Sequence, residues 1–382
     1  MKILFLCTYY HRAMIFRNSM NRLSQLGHEV KAFNAVVKKT KVDKKYKSIM
    51  DDTVIHRECF NKWDRYIFHL KQRKIYKALT ASCEVEKYDL IHSHTLFNVG
   101  YVAYLIKKYF GVPYVVSVRN TDINTFLRIP LFASIANKII RDAVGVQFLS
   151  MPYKDKFINR YIRADFKDNV ERKSIVISNG LEKFWLKNKS KVKKLSDGKS
   201  IRILSVGKID KNKNINTIIR SINLLFLKGF NVKFTVVGQV VDKSVLKKIQ
   251  KVSFIKVLNY LTKEELIEVY RNNDIYVMPS IYETFGRVYA EAMTQGLPVI
   301  YSKGQGFDGI FKDGCVGYAV PSNDADYIAK CILKIIDNYS NISYRCLEYS
   351  NEFDLEIVSE KLSRFYNDSL GLHEIKNSGG NF

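Results

Sequence analysis

The sequence predicts an α/β protein of two domains, each a doubly wound parallel sheet, and three observations carry that expectation. Short apolar, β-branched runs alternate with amphipathic stretches of helical spacing through both halves of the chain. The 382 residues exceed what one hydrophobic core usually supports, while apolar residues at 47% and aromatics at 13% suffice to fill two. Over residues 181–200 the alternation stops and seven lysines gather, which reads as an exposed linker.

In the first half, residues 3–7 (ILFLC) read as a strand, a helix ends near Leu26-Gly27, and residues 30–33 form the next strand. Residues 89–92, 113–118 and 146–150 continue the strands, with helices over 97–110 and 131–142 between them. The second half repeats the scheme, with strands at 201–207, 232–238, 254–258, 275–279 and 298–301. Helices are expected over 215–228, 244–251 and 263–271, and again around Val288, Ala292 and Gln295. Thr284 stands as the cap of this last helix, and Gly296 and Pro298 as its stop. Two more amphipathic helices fall at 324–337 and 355–370, before a polar, Gly-rich tail. The expected boundaries are a first domain over 1–182, a linker over 183–200, a second domain over 201–353, a last helix over 354–372 and a tail over 373–382. Open parallel sheets of this kind take ligands at the carboxyl ends of their strands.

The formal charge is +25, and it is uneven: 39 of the 62 basic and 17 of the 37 acidic residues precede Ile201, so +22 sits in the first half. The six cysteines show no C-x-x-C and no histidine at ligand spacing, which fits reduced thiols better than zinc or a disulfide framework. No uninterrupted apolar run approaches the ~18 residues a membrane-spanning helix needs, and the N-terminal run ILFLC is too short for a secretory core. A soluble or peripheral cytoplasmic protein is expected. No basic helix with interleaved stacking aromatics points to specific nucleic-acid binding.

The chemistry gathers in residues 279–306, PSIYETFGRVYAEAMTQGLPVIYSKGQG, a strand end, a tight turn, a helix and the next strand. A helix N-terminus offers unpaired amides and a positive dipole end, so the backbone from Thr284 through Phe285, Gly286 and Arg287 to Val288 can hold a phosphate. Glu291, two turns beyond Glu283, can accept hydrogen bonds from vicinal ribose hydroxyls. The same pattern also fits an ordinary strand–helix–strand unit with two solvated acids.

E-T-F-G-x-x-x-x-E-A-M-x-x-G-L-P-V-I, running from Glu283 through Glu291, resembles the donor-site signature of the retaining family 4 glycosyltransferases. That resemblance implies a GT-B fold, two Rossmann-like domains facing a cleft, with the C-terminal helix crossing back to the first domain. It implies that Glu283 lies by the donor sugar, that Glu291 holds the ribose, and that the amides of residues 284–288 contact the diphosphate. It further implies that Gly207, Lys208 and Lys213, at the end of the first strand of the second domain, neutralise the leaving diphosphate without a metal. The family usually has arginine where Lys208 stands, and a lysine lacks its bidentate fork. KIDKNKN also reads as a solvated basic loop. Tyr260 falls where the family packs the nucleotide base, and Gly304 and Gly306 fall where backbone can approach the donor.

The first domain departs from the family pattern. The loop after its first strand, residues 8–12, has no glycine and offers Arg12 instead, with Arg17 nearby. Where relatives show a histidine at the reacting sugar, this chain has Arg119, followed by Asn120, Thr121 and Asp122. Arginine binds a phosphate or hydroxyl but is no general base at neutral pH. His94 is the remaining nearby histidine, and a structural hydrogen bond explains it equally well.

The expected activity is a hexosyl- or N-acetylhexosaminyl-type glycosyltransferase using a nucleotide-sugar, UDP-sugar first and GDP-sugar next, in surface polysaccharide (capsule or lipopolysaccharide) synthesis, with no cofactor or metal. The expected acceptor is a lipid-linked glycan, met by Arg12, His94 and Asp122, while Arg119 is counted with Glu283, Lys208 and Lys213 among the catalytic residues. Lysines 38, 39, 41, 44, 45 and 47, and Lys71, Arg73, Lys74 and Lys77 beside Trp63, Tyr66 and Phe68, suggest docking on an anionic membrane surface. A nucleotide-sugar epimerase on the same fold is the alternative enzyme.

Overall fold

The computed structural model describes residues 1–10, 14–40, 51–196 and 198–371. The described residues divide into two compact units, the first within 1–149, 153–179 and 355–371, the second within 150–152 and 180–354.

The first unit is a seven-stranded sheet of β1 (Lys2–Cys7), β2 (Glu29–Val37), β3 (Val54–Phe60), β4 (Leu90–Ser93), β5 (Tyr114–Val118), β6 (Gly145–Phe148) and β7 (Ser174–Val176). Its spatial order is β3-β2-β1-β4-β5-β6-β7, with every pairing parallel. β1, β4, β5 and β6 are buried on both faces, as a sheet covered by helices on each side demands, with His92, Ser93, Ser117 and Gln147 as buried polar side chains among the apolar ones. β3 and β7 were not expected. VIHRECF alternates weakly and lies half-exposed at the sheet edge, and SIV is only three residues long, so neither carries the apolar run that marks a central strand.

The last helix, Leu355–Ser369, packs within the first unit, burying Val358, Leu362, Phe365 and Tyr366 with Ile3, Phe5, Leu90 and Val115. An ion pair of Arg22 with Glu356 (3.3 Å) and a hydrogen bond between His28 Nε2 and Ser363 Oγ (2.7 Å) add polar ties to it. A Cβ on Gly145 would lie 2.6 Å from the Phe365 ring, so only glycine admits the helix this close to β6.

The second unit is a six-stranded parallel sheet of β8 (Ser200–Val206), β9 (Asn231–Val237), β10 (Ile255–Leu258), β11 (Ile275–Met278), β12 (Val299–Ser302) and β13 (Gly317–Val320), ordered β10-β9-β8-β11-β12-β13. Strand order reverses between β8 and β11, and in open parallel sheets the carboxyl ends of the strands at such a reversal are where a ligand is expected. The helices at Ile215–Leu227, Lys243–Ile249, Lys263–Arg271 and Ala325–Asp337 fall where their periodicity placed them. β13 and the helix Tyr339–Tyr349 were missed. β13 opens on a glycine because a Cβ there would lie 1.7 Å from the Val299 carbonyl oxygen, and a glycine start weakens any strand signal.

The lysine-rich stretch is not a free linker. It belongs to the second unit from Gly180, forms a short helix at Lys183–Lys187 with Trp185 4% exposed, and then lies along the unit's surface. Lys189 Nζ donates to the Leu347 carbonyl and to Asn351 Oδ1, both at 2.7 Å, and Lys193 Nζ to the Arg271 carbonyl at 2.8 Å and to the Asn273 carbonyl. Helix C-termini present orphan carbonyls, and these lysines satisfy them, so a run that looks solvated by composition is clipped down by its charges.

Candidate active site

In the second unit the loops after β8 and β11 meet at the point of strand reversal. The β8 loop leaves the sheet through Gly207, where a Cβ would lie 3.0 Å from Lys213 Cε. It crosses close to the β9 end, since a Cβ on Gly238 would lie 1.8 Å from the Gly207 carbonyl oxygen. The loop then turns through Lys211–Lys213, whose start is capped by Asp210 accepting from the Lys213 amide at 3.2 Å. Asn212 staples this turn to the β11 loop: its carbonyl accepts from Ile281 N (2.9 Å), its Oδ1 from Tyr282 N (3.0 Å), and its Nδ2 donates to the Tyr282 carbonyl (3.0 Å).

The stapled loops hold Lys213 Nζ 2.7 Å from Glu283 Oε2, with both side chains about five-sixths buried, at 17% and 15% exposure. The two residues that sequence reasoning placed separately, one as cation and one by the donor sugar, thus form a pair. A third loop, after β12, clamps Glu283 from below: Gln305 Oε1 accepts from Glu283 N at 3.0 Å and Gly306 N donates to the Glu283 carbonyl at 2.9 Å. A Cβ on Gly306 would lie 2.1 Å from the Thr284 carbonyl oxygen. Only glycine therefore admits so close an approach of the β12 loop to the backbone of Thr284 and Phe285.

The helix Arg287–Thr294 starts here, and its cap differs from expectation. Gly286, not Thr284, is the capping residue, in the left-handed region at φ 76°, and no side chain caps the helix. A Cβ on Gly286 would lie 2.4 Å from the Tyr289 ring, whose hydroxyl is tied to the Met278 carbonyl at 2.6 Å. With no cap, the first-turn amides of Arg287 and Val288 have no intrahelical partner and point their partial positive charge outward. Thr284 N donates to Glu283 Oε1 at 3.2 Å, so that amide is engaged within the loop, and Phe285 is buried at 1% exposure against Phe307 and Phe353, so it offers backbone rather than a side chain.

One turn further along, Glu291 accepts from the Tyr270 hydroxyl at 3.3 Å. Burial pushes its carboxyl up to about 7, against the downward pull of the Arg287 guanidinium on the preceding turn. Lys208 is exposed beside the site, and among the described residues no ion pair holds it. Tyr260 stands 69% exposed on the loop after β10. Sequence reasoning missed Asn212, Ser280 (Oγ 3.5 Å from Lys213 Nζ), Tyr270 and Gln305. Asn212 left a trace as one of the polar residues in KIDKNKN, and Ser280 and Gln305 as members of the stretch 279–306, but none with a role of its own. Among the described residues no group of His, Cys, Asp and Glu could hold a metal ion.

In the first unit the expected acceptor-side residues play different parts. Asp122 is fully buried, and its carboxylate accepts from the amides of Leu96, Phe97 and Arg119 at 2.9 to 3.1 Å. It ties the loop after β4 to the loop after β5 and has no surface to offer a substrate, a correction to its expected role. Burial raises its carboxyl to about 6 despite those amides. His94 is 6% exposed, stacks on His92 with ring centroids 4.0 Å apart, and is held neutral by burial beside Arg119. His92 is wholly structural, bonded to Tyr366 Oη (2.6 Å) and Ser117 Oγ (2.8 Å). Arg119 Nε donates to the His94 carbonyl at 3.0 Å, and burial brings its guanidinium down to about 10. Arg12 lies outside the described residues. Arg17 is paired with Asp51 and donates to Thr53 Oγ1 at 3.0 Å, so its charge is not free for a substrate.

Residues 187–352 match the model of the family described as Glycosyl transferases group 1. The chain is 30% identical over 205 residues to a capsular polysaccharide biosynthesis glycosyltransferase of Staphylococcus aureus, covering 50% of this chain and 54% of that one. It is 26% identical over 331 residues to an alpha-monoglucosyldiacylglycerol synthase of Acholeplasma laidlawii, covering 80% of each. Among solved structures, HepE of Anabaena in complex with UDP aligns with a TM-score of 0.72 at 16% identity, covering 96% of this chain and all of that one. The fold is GT-B.

Proposed function

The chain carries a group 1 glycosyltransferase module on a GT-B fold, and from that premise we propose that it moves a hexosyl or N-acetylhexosaminyl group from a nucleotide-sugar, UDP-sugar first, to a lipid-linked surface glycan. The observation that carries this reading is the buried Lys213–Glu283 pair beside an uncapped helix N-terminus at the reversal of strand order. In it the amides of residues 284–288 take the diphosphate, Glu291 takes the ribose hydroxyls, and Glu283 meets the donor sugar. Lys213 and Lys208 oppose the charge that grows on the diphosphate as the glycosidic bond breaks, with no metal needed. The sugar is transferred with retention, the donor phosphate itself taking the acceptor proton on the same face. UDP release from UDP-sugar should depend on added acceptor glycan. Conversion of UDP-sugar to its epimer without acceptor would favour the epimerase instead.

Docking on an anionic membrane is part of the proposal, on a surface somewhat different from the one read in the sequence. Trp63 (79% exposed), Tyr66 (81%), Ile67 (57%) and Leu70 follow one another on a 3₁₀ turn, Lys62–Tyr66, and the start of the helix Phe68–Thr80, interspersed with exposed Lys62, Arg65 and Arg73. Large apolar groups ringed by cations suit the headgroup boundary. Phe68 does not belong to this surface, because it packs edge-on against Phe97, Tyr101 and Phe132. Nor does Lys74, which is paired with Asp64 at 2.7 Å, or Lys71, which is buried. Lysines 41, 44, 45 and 47 lie outside the described residues. Each exposed cation is worth on the order of 1 kcal/mol at an anionic leaflet. Co-sedimentation with vesicles should rise with anionic lipid, fall with salt, and drop when Trp63 and Tyr66 become serine. Equal pelleting with neutral and anionic vesicles would sink the membrane reading.

A further inference from the structure

Lys71 is a buried cation in search of an anion. It is 6% exposed, its Nζ donates to the neutral Asn98 Oδ1 at 2.7 Å and lies 5.3 Å from the Phe60 ring centroid, and among the described residues no carboxylate pairs with it. Asp122, the acid that acts on it from the loop after β5, spends both oxygens on backbone amides. Arg65 adds a like charge from the 3₁₀ turn, and the Cys59 thiol on β3 is pushed up to about 11 by burial and supplies no anion at neutral pH. Burial accordingly brings the Lys71 ammonium down to about 8. Burying an unpaired ammonium costs stability and is kept where something else compensates it.

The place where Lys71 sits is a cavity of about 250 Å³ over the carboxyl ends of β1, β2 and β3, on the first unit's own surface. Its described lining holds two cations, Arg65 and Lys71, and no acid. Asn98, Thr121 and Thr125 add polar groups on one side, and Phe60 and Phe126 add apolar wall. Thr8, also in the lining, has a buried hydroxyl with no hydrogen-bond partner among the described residues. The volume suits one phosphate group or one monosaccharide, not an oligosaccharide.

We propose that this cavity is a subsite for an oxyanion, phosphate or carboxylate, carried by the acceptor, with Lys71 as its buried counter-ion and Arg65 at its rim. That the anion belongs to an acceptor rests on the transferase reading; that the cavity binds an oxyanion does not. The shared chemistry has two sources, the phosphate that links a glycan to a lipid and the carboxylate of an acidic sugar.

The test is thermal melting of the full chain in inorganic phosphate, in glucuronate and in chloride of equal ionic strength. At saturating anion the midpoint should rise by roughly 2 to 5 °C over chloride. Lys71→Met, an apolar replacement that a buried site tolerates, should fold with an equal or higher midpoint in chloride and lose that rise, and Arg65→Gln should retain part of it. A rise in phosphate alone identifies the lipid-linking phosphate, and a rise in glucuronate identifies an acidic sugar. UDP is added to the same variants as a separate arm. If Lys71→Met keeps its UDP-dependent rise, loss of the anion effect is specific to this cavity and leaves the donor site intact. An equal anion response in wild type and Lys71→Met, or no response beyond chloride to either anion, overturns the subsite whatever UDP does.

Discussion

Replacing Lys213 by alanine should lower turnover of the nucleotide-sugar by roughly 100- to 1000-fold, the range seen when one donor to a developing anion is removed from a preorganised site. The loss should fall on kcat, because charge on the diphosphate grows as the glycosidic bond breaks and an interaction made mainly in the transition state leaves KM little changed. The structure sharpens this expectation in one respect. Lys213 is held by Glu283 at 2.7 Å, so Lys213→Ala also leaves a mostly buried carboxylate without its partner. Lys213→Arg, which keeps the charge, should recover part of the rate, and circular dichroism should show the fold intact. Initial-rate measurements of UDP release check the split; an unchanged kcat with a raised KM would mean that Lys213 serves ground-state binding alone.

Replacing Glu291 by alanine should weaken UDP and UDP-sugar alike, by about 1.5 to 3 kcal/mol for hydrogen bonds to a charged acceptor, or roughly 10- to 150-fold in affinity. Glu291 also gives binding a pH dependence. Its carboxyl titrates at about 7 in the folded protein against an ordinary value of 4.5, so between those values the folded state holds a proton that the unfolded state has lost. Stability from this group is therefore full below pH 4.5 and is lost as pH rises to 7. Ribose hydroxyls that donate to the carboxylate favour its charged form and draw the value down again. UDP affinity should fall as pH drops below about 7, with proton release on binding near neutrality. Glu291→Gln should lose that dependence while being more stable than wild type at pH 8. Affinities measured from pH 5.5 to 8.5 decide it, and a dependence that survives in Glu291→Gln would place the titrating group elsewhere.

The elements legible in the sequence were those whose residues point one way. ILFLC, YVVSV and IYVM are buried on both faces of a sheet, and short, largely apolar runs rich in β-branched or aromatic residues between helical stretches mark such strands. Edge strands such as VIHRECF were invisible because half their side chains face water. The turn and helix over residues 283–294 were legible through a glycine and acids at fixed spacing, but the pairing of Lys213 with Glu283 was not. It depends on Asn212 bridging two loops 70 residues apart in the chain, which no local pattern records. The lysines of residues 183–199 misled for a related reason, since composition reports charge and not the carbonyls that charge will meet. Asp122 misled as well: a carboxylate in a loop reads as available until its three amide partners, two of them from another loop, are seen.

The central claim is a metal-independent nucleotide site built by the second unit around Glu291 and the helix it stands on. Calorimetric titration of UDP into the full chain, in the presence of EDTA, tests it most directly. The account predicts one saturable site in wild type with its affinity unchanged by the chelator, and a roughly 10- to 150-fold weaker site in a folded Glu291→Ala. Binding that vanishes in EDTA, or an affinity untouched in Glu291→Ala, would contradict it.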